Sequence, residues 1–195
     1  MSKCWILDLE SLGKFPDSVV LSFGMVFFDL TNVLPTRQQV ESTGFYRKLV
    51  VNDQLKKGRS THPETIDWWK QQGEEAKHVL KPSDDDVSIV EFHSDLKDWL
   101  KKNSYDFKND FIWIRGPQYD APMITDLFEM YELKNPMNFW KVRDIRTLID
   151  ISTGSRDGKI EISEDVSWCV KHHALHDCVL DYLSFKELYK GSDDE

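Results

Sequence analysis

The chain predicts an α/β domain with a mixed sheet, its first three strands antiparallel and its faces flanked by α-helices. Three observations carry this. Short apolar runs crowd the first fifty residues, helix-period stripes take over in the middle, and a strand runs through a Gly-Pro turn into a helix after residue 115. At 195 residues, against a prior of roughly 150 per domain, one domain is expected, 1–190, followed by a polar tail at 191–195.

The elements follow in order. Cys4 to Glu10 (Cys-Trp-Ile-Leu-Asp-Leu-Glu) is apolar and too short for a helix, so it reads as a central strand entering a site at its C-terminal end. Val19 to Leu30 is β-branched and aromatic, with Thr31-Asn32 as a turn, and Gly44 to Val50 supplies a third strand. Short joins make these three a meander. Thr61 and Glu64 have capping-box spacing around Pro63, opening a helix through Trp68 and Trp69 that stops near Gly73. Ser83 with Asp84, Asp85 and Asp86 is read as the capped start of a longer helix whose stripe is Ile89, Phe92, Leu96, Trp99 and Leu100. Phe111 to Arg115 is a strand ending at Gly116-Pro117, and Met123, Leu127 and Met130 mark the helix after it. Lys141 to Arg146 gives a last strand, and Leu175, Cys178, Tyr182, Phe185 and Tyr189 the inner stripe of a C-terminal helix.

Composition excludes several classes. With 40% hydrophobic residues, nine Gly and seven Pro, the chain is neither disordered nor fibrous. A net charge of -9 argues against a protein that coats duplex nonspecifically, though not against nucleic acid whose phosphates are bridged by metal ions. Met1 to Glu10 lacks a basic-then-apolar leader, and no stretch approaches the roughly 18 apolar residues of a membrane span, so a cytoplasmic protein without membrane contact is expected. Cys4, Cys169 and Cys178 are odd in number and read as reduced, buried thiols.

Asp8 and Glu10 stand two apart on a strand, so both carboxylates face one side of the sheet while Leu7 and Leu9 face the other. A solvated polar face is the plain alternative, but an acid pair continuing a buried strand needs a proton or a cation. Asp120 falls in the first turn of the helix after Gly116-Pro117, where capping alone could account for it. Lys171-His172-His173-Ala174-Leu175-His176-Asp177-Cys178-Val179-Leu180-Asp181 is the densest titratable cluster, and three readings compete for it. Asp177 can be a metal ligand with His172 a mobile general base. His172 and His176, at i and i+4, can bind zinc with Cys169 or an acid. Or the histidines are structural, the reading favoured for His173 and His176 individually.

Asp8-Leu9-Glu10, Gln118-Tyr119-Asp120 and His172 through Asp177 resemble, in order and context, the three motifs of the DEDDh superfamily of 3'-to-5' exonucleases. The likeness is to its branch of phage exonuclease A and related bacterial exoribonucleases. Further similarity lies in Thr65 to Gln71, Pro82-Ser83-Asp84, Phe139 to Thr147 and His176-Asp177-Cys178, so it runs from Met1 to about Tyr189. The resemblance implies an RNase H-like fold and two divalent ions, Mg2+ or Mn2+, held by Asp8, Glu10, Asp120 and Asp177. It implies that His172 deprotonates the attacking water, releasing nucleoside 5'-monophosphates from single-stranded RNA or DNA 3' ends. His173 is adjacent, and the His-x4-Asp count selects His172. A host-cytoplasm location if phage-encoded, and a homodimer, are compatible with the resemblance.

Physics makes the same demand. Carboxylates about 4 Å apart repel by roughly 4 kcal/mol per pair at an effective dielectric of 20, so cations or protons must neutralise them. Hard ions with oxygen ligands suit such a set better than zinc. Of Trp68 and Trp69, about 100 degrees apart on a helix, one can stack a terminal base while the other fills the core, though core packing of both is the favoured reading. Ser11 to Gly13 could let backbone approach the terminal sugar, and Arg115, Lys141, Arg143 and Arg146 are the cationic candidates for phosphate, with an Arg143–Asp144 ion pair as the alternative. Two other functions compete: an HD-type metal phosphohydrolase, disfavoured by the strand-rich first fifty residues, and a non-catalytic nucleic-acid-binding module on the same scaffold.

Overall fold

In the computed structural model, which describes residues 3–30 and 33–190, five strands form one sheet in the order β3-β2-β1-β4-β5. β1 (Cys4–Ser11) lies at its centre, antiparallel to β2 (Val20–Phe28) and parallel to β4 (Phe111–Ile114). β3 (Phe45–Lys48) pairs antiparallel with β2, and β5 (Val142–Asp144) pairs parallel with β4. The sheet is mixed and its first three strands are antiparallel, as the sequence predicts. The expected turn at Thr31-Asn32 and the tail at 191–195 lie outside the described residues.

Alternation along β1 decides what each face carries. Trp5, Leu7 and Leu9 point into a core built with α4 (Ile89–Lys102) and α5 (Pro117–Met130), through Phe92, Leu96, Met123, Leu127 and Phe128. Cys4 and Ile6 point the other way, against α7 (Ala174–Lys190) and α6 (Ile145–Thr153), where Ile145, Ile149, Cys178, Val179 and Tyr182 are buried. Asp8 and Glu10 continue that second face, so both acids lie beneath α7.

Several elements depart from the sequence reading. The join between β2 and β3 is not short: it carries α1 (Arg37–Thr43), opened by a capping box in which Thr36 accepts from Gln39 N and Gln39 accepts from Thr36 N. A further short helix, α2 (Val51–Lys56), follows β3; its Gln54 is buried and bonds both N–H and C=O of Val20. In α3 (Pro63–Lys70) the N-cap is His62, not Thr61, and no side chain caps it; Pro63 at the first turn has no N–H to satisfy. Asp84 to Asp86 do not cap α4. Ser88 does, accepting from Glu91 N, while Ser83 to Asp86 close a turn and Asp86 pairs with Lys48 at 3.0 Å. Leu175, Cys178, Tyr182 and Phe185 pack as expected, but Tyr189, near the end of α7, is exposed. Cys4, Cys169 and Cys178 are free thiols, and Cys169 is only half-buried. Among the described residues, no helix is long and apolar enough to cross a membrane.

Candidate active site

The site is assembled where β1 ends. Asp8 and Glu10 are directly opposite Gly24 and Ser22 of β2. A Cβ on Gly24 would lie 2.3 Å from the carbonyl carbon of Ala174, so glycine there lets the first turn of α7 rest on the sheet. That close approach brings Asp177, in the first turn of α7, over the acid pair. The fourth acid arrives from the parallel side. Gly116 takes φ +81, a left-handed conformation suited to glycine, and turns the chain from β4 into α5, whose first turn carries Asp120. Gly116 N donates to Asp144 Oδ1, and Asp144 also caps α6 through Arg146 N and Thr147 N, tying neighbouring turns together.

The acids suppress one another's ionisation. Glu10 is buried; Asp8, Asp120 and Asp177 are half-buried as residues, yet Asp8 Oδ2 is sealed from solvent without a hydrogen-bond partner. Burial first, then the charges of Glu10, Asp120 and Asp177, push the Asp8 carboxyl well above the usual carboxylate range. Glu10 rises for the same reasons, with Asp177 and Asp120 as its charged neighbours. Asp120 and Asp177 are each raised to about 7, by burial and then by the charge of Asp181. Asp181, one helical turn beyond Asp177, is a fifth acid, which the sequence reading placed at the end of the titratable cluster and gave no role. It stands four residues after Asp177, on the same helical face. It is buried, and Arg115 meets it at 2.7 Å.

His172 does not lie on the helix. It precedes α7 with φ +60, a left-handed backbone rare outside glycine, so the proposed sharing of a helical face with His176 is not formed. Its backbone hydrogen-bonds the Asp177 carboxylate, and its ring nitrogen, a Glu10 oxygen and an Asp177 oxygen all lie within 4.8 Å of one another. Burial, then Lys171, lowers its pKa from 6.5. His173 turns away: its ring stacks on Tyr46 at 4.3 Å and meets His176 at 4.2 Å, and burial among these groups pulls its pKa down to about 4. His176 Nδ1 accepts from Val170 N.

Trp68 and Trp69 form a wall beside His172. Trp69 is buried and donates its indole N–H to Ser11 O at 2.9 Å, while Trp68 is 40% exposed with its ring 4.7 Å from that of His172. Next to Ser11, whose hydroxyl donates to Gly13 O, the β1 register shifts. Lys141 and Arg143 are not at the acids; both lie over the Phe111 ring, and among the described residues Arg143 bonds carbonyls of Trp140 and Val142 without an ion pair to Asp144.

A mixed sheet of this order, with two acids at the end of its central strand and one in the first turn of each of two flanking helices, is an RNase H-like exonuclease fold. The chain belongs to the family described as the 3'-5' exoribonuclease Rv2179c-like domain, whose model matches residues 3–187. It is 28% identical over 206 residues to an exodeoxyribonuclease of Enterobacteria phage T4, covering 93% of this chain and 87% of that one. Solved structures share the fold at low identity. The nuclease domain of 3'hExo, a DEDDh family member bound to rAMP, matches with TM-score 0.65 and 14% identity over 97% of this chain and 93% of that one. Cell-death related nuclease 4 matches with TM-score 0.63 and 14% identity over 98% of this chain, which spans only 65% of that one. The zinc-bound complex of E. coli exonuclease I with single-stranded DNA matches with TM-score 0.60 and 12% identity, covering 100% of this chain and 42% of that one.

Proposed function

We propose that the chain, as a single domain, is a divalent-metal-dependent 3'-to-5' exonuclease that releases nucleoside 5'-monophosphates from single-stranded 3' ends. The observation that carries this is the acid cluster with a sealed, unpartnered oxygen on Asp8. Such an oxygen costs free energy unless something positive meets it, and a set of carboxylate oxygens fits hard divalent ions such as Mg2+ or Mn2+. Asp8, Glu10, Asp120 and Asp177 would hold two of them. Bound there, the pair would activate the attacking water and stabilise the leaving 3'-oxygen.

The remaining work falls to side chains. His172, whose pKa burial and Lys171 lower from 6.5, would take the proton of the attacking water. It stands just before α7, with its ring beside oxygens of Glu10 and Asp177. The exposed face of Trp68 would stack the terminal base, and Trp69 would hold the Ser11 end of β1 in place for the terminal sugar. The HD-type alternative finds no support in a chain whose centre is a five-stranded sheet.

The test uses 3'-labelled and 5'-labelled oligonucleotides of both sugars with Mg2+, Mn2+ or chelator. Mononucleotides should leave the 3' end only, and only with metal. Release from the 5' end, or release unaffected by chelator, would overturn the proposal.

A further inference from the structure

Beside the acid cluster, a cavity of about 460 Å³ opens between α7 and the segment that follows α6, and neither Trp68 nor His172 lines it. Asp8, Asp177 and Asp181 form one wall, and Arg115, Arg146 and Lys159 contribute the cations. We propose that this cavity binds the backbone phosphate one nucleotide 5' of the scissile bond, with Arg146 and Lys159 as its ligands. The inference rests on the exonuclease reading and adds the path of the substrate.

Charge accounting separates the three cations. Arg115 is committed, since it pairs with Asp181 and donates to Gly158 O at 2.6 Å. Arg146 and Lys159 make no ion pair among the described residues. Two divalent ions would balance four carboxylates, and Arg115 pairs with Asp181; the charge of Arg146 reaches Asp120 and Asp181 and that of Lys159 reaches Asp157, in each case without a salt bridge. In a chain of net charge -9, two cations that line an acidic cavity and make no salt bridge among the described residues fit an anion that enters together with the metal-bridged phosphate.

Arg146 is also held ready. Its Cβ and Cγ lie against Gly158, where an added Cβ would come within 2.6 Å of both. Its guanidinium reaches Gly116, where an added Cβ would be 3.4 Å from Nη1, at the start of the helix that bears Asp120. Both glycines have positive φ, and Gly158 N is fastened to Asp150 Oδ1 at 2.8 Å. The side chain is thus laid out between two fixed turns, which reduces the ordering cost of binding. With the terminal base stacked on Trp68, which does not line the cavity, the cavity would be left for the strand 5' of the scissile phosphate.

The experiment places a single neutral methylphosphonate at successive linkages of a short single-stranded oligonucleotide and measures kcat/KM for the first cleavage. In the wild-type chain, neutralising the linkage 5' of the scissile one should lower kcat/KM about tenfold, the loss of one charged hydrogen-bonding pair. In the Arg146→Met, Lys159→Met double variant, the fully charged substrate should show a raised KM and that same neutral linkage should cost little more. Methionine retains the aliphatic contact with Gly158, and thermal unfolding checks that the fold persists; if it does not, Lys159→Met alone, at an exposed position, should show part of the effect. A variant as sensitive to the neutral linkage as the wild type overturns the subsite, as does a wild type indifferent to it. A wild type that digests neither RNA nor DNA overturns the exonuclease reading itself.

Discussion

Gly24 and Ala174 meet backbone to backbone: a methyl group on Gly24 would stand 2.3 Å from the Ala174 carbonyl carbon and 2.4 Å from its oxygen. Because Gly24 is the cross-strand partner of Asp8, this contact sets the height of Asp177 above the sheet. Gly24→Ala should therefore push the start of α7 outward. Overpacking of this kind costs about 1–3 kcal/mol, and misplacing a ligand by about 1 Å costs on the order of a hundredfold in rate. Thermal unfolding and single-turnover rates check both. A variant with wild-type rate and stability would show that α7 is not positioned here.

The same relationship explains what could be read in the sequence. Asp8 and Glu10 were legible because a strand's two-residue period fixes their face, and Asp120 because a strand, a Gly-Pro turn and a helix leave little choice of place. α1 and α2 were hidden by their length, since six or seven residues carry too little periodicity. The His172 backbone was illegible because its left-handed turn is imposed by the docking of α7, a long-range contact. Asp181 stood in the titratable cluster without a role, since nothing local shows that Arg115, 66 residues away, is waiting for it.

Asp8→Asn and Asp177→Asn should each lower exonuclease turnover by at least about a hundredfold, the scale of losing one electrostatic contact in a reacting centre. Without metal, both variants should melt no lower than the wild type, because each removes one charge from a mutually repelling set. Calorimetric metal titration alongside the melting curve separates the two effects. Full activity in either variant would remove that residue from the site.

Stability without metal should fall as pH rises. Asp120 and Asp177 titrate near about 7 in the folded chain against an ordinary value of 3.8. Between those values the folded state binds more protons than the unfolded state, so their contribution is complete below about 4 and is lost as pH climbs through 7. Divalent ions should then raise the melting temperature strongly at pH 8 and weakly at pH 5, where protons occupy the same oxygens. Equal stabilisation at both pH values would mean that these carboxylates are not the ligands.

His172→Gln should depress kcat by about 10²–10⁴, the usual contribution of a general base, while changing metal affinity little. The acid limb of the wild-type profile should lie below pH 6.5, because burial and Lys171 both disfavour the charged ring. His173→Gln should leave that limb in place, since its ring is packed between Tyr46 and His176. A His172 variant that loses metal binding as steeply as turnover would make this ring a ligand, a role its distance to Glu10 and Asp177 also permits.

Trp68→Ala should act on binding more than on chemistry. The ring is 40% exposed, in T-shaped contact with the buried Trp69 at 5.0 Å, so its removal opens no large core cavity. Base stacking on an aromatic side chain is worth about 1–3 kcal/mol, so KM should rise about tenfold with kcat within a few-fold of wild type and the melting temperature nearly unchanged. An abasic 3'-terminal nucleotide provides the control: it should cost the wild type the same factor and the variant almost nothing. If the abasic end is cleaved by the wild type as readily as a normal one, Trp68 is a surface residue and the terminal base is held elsewhere.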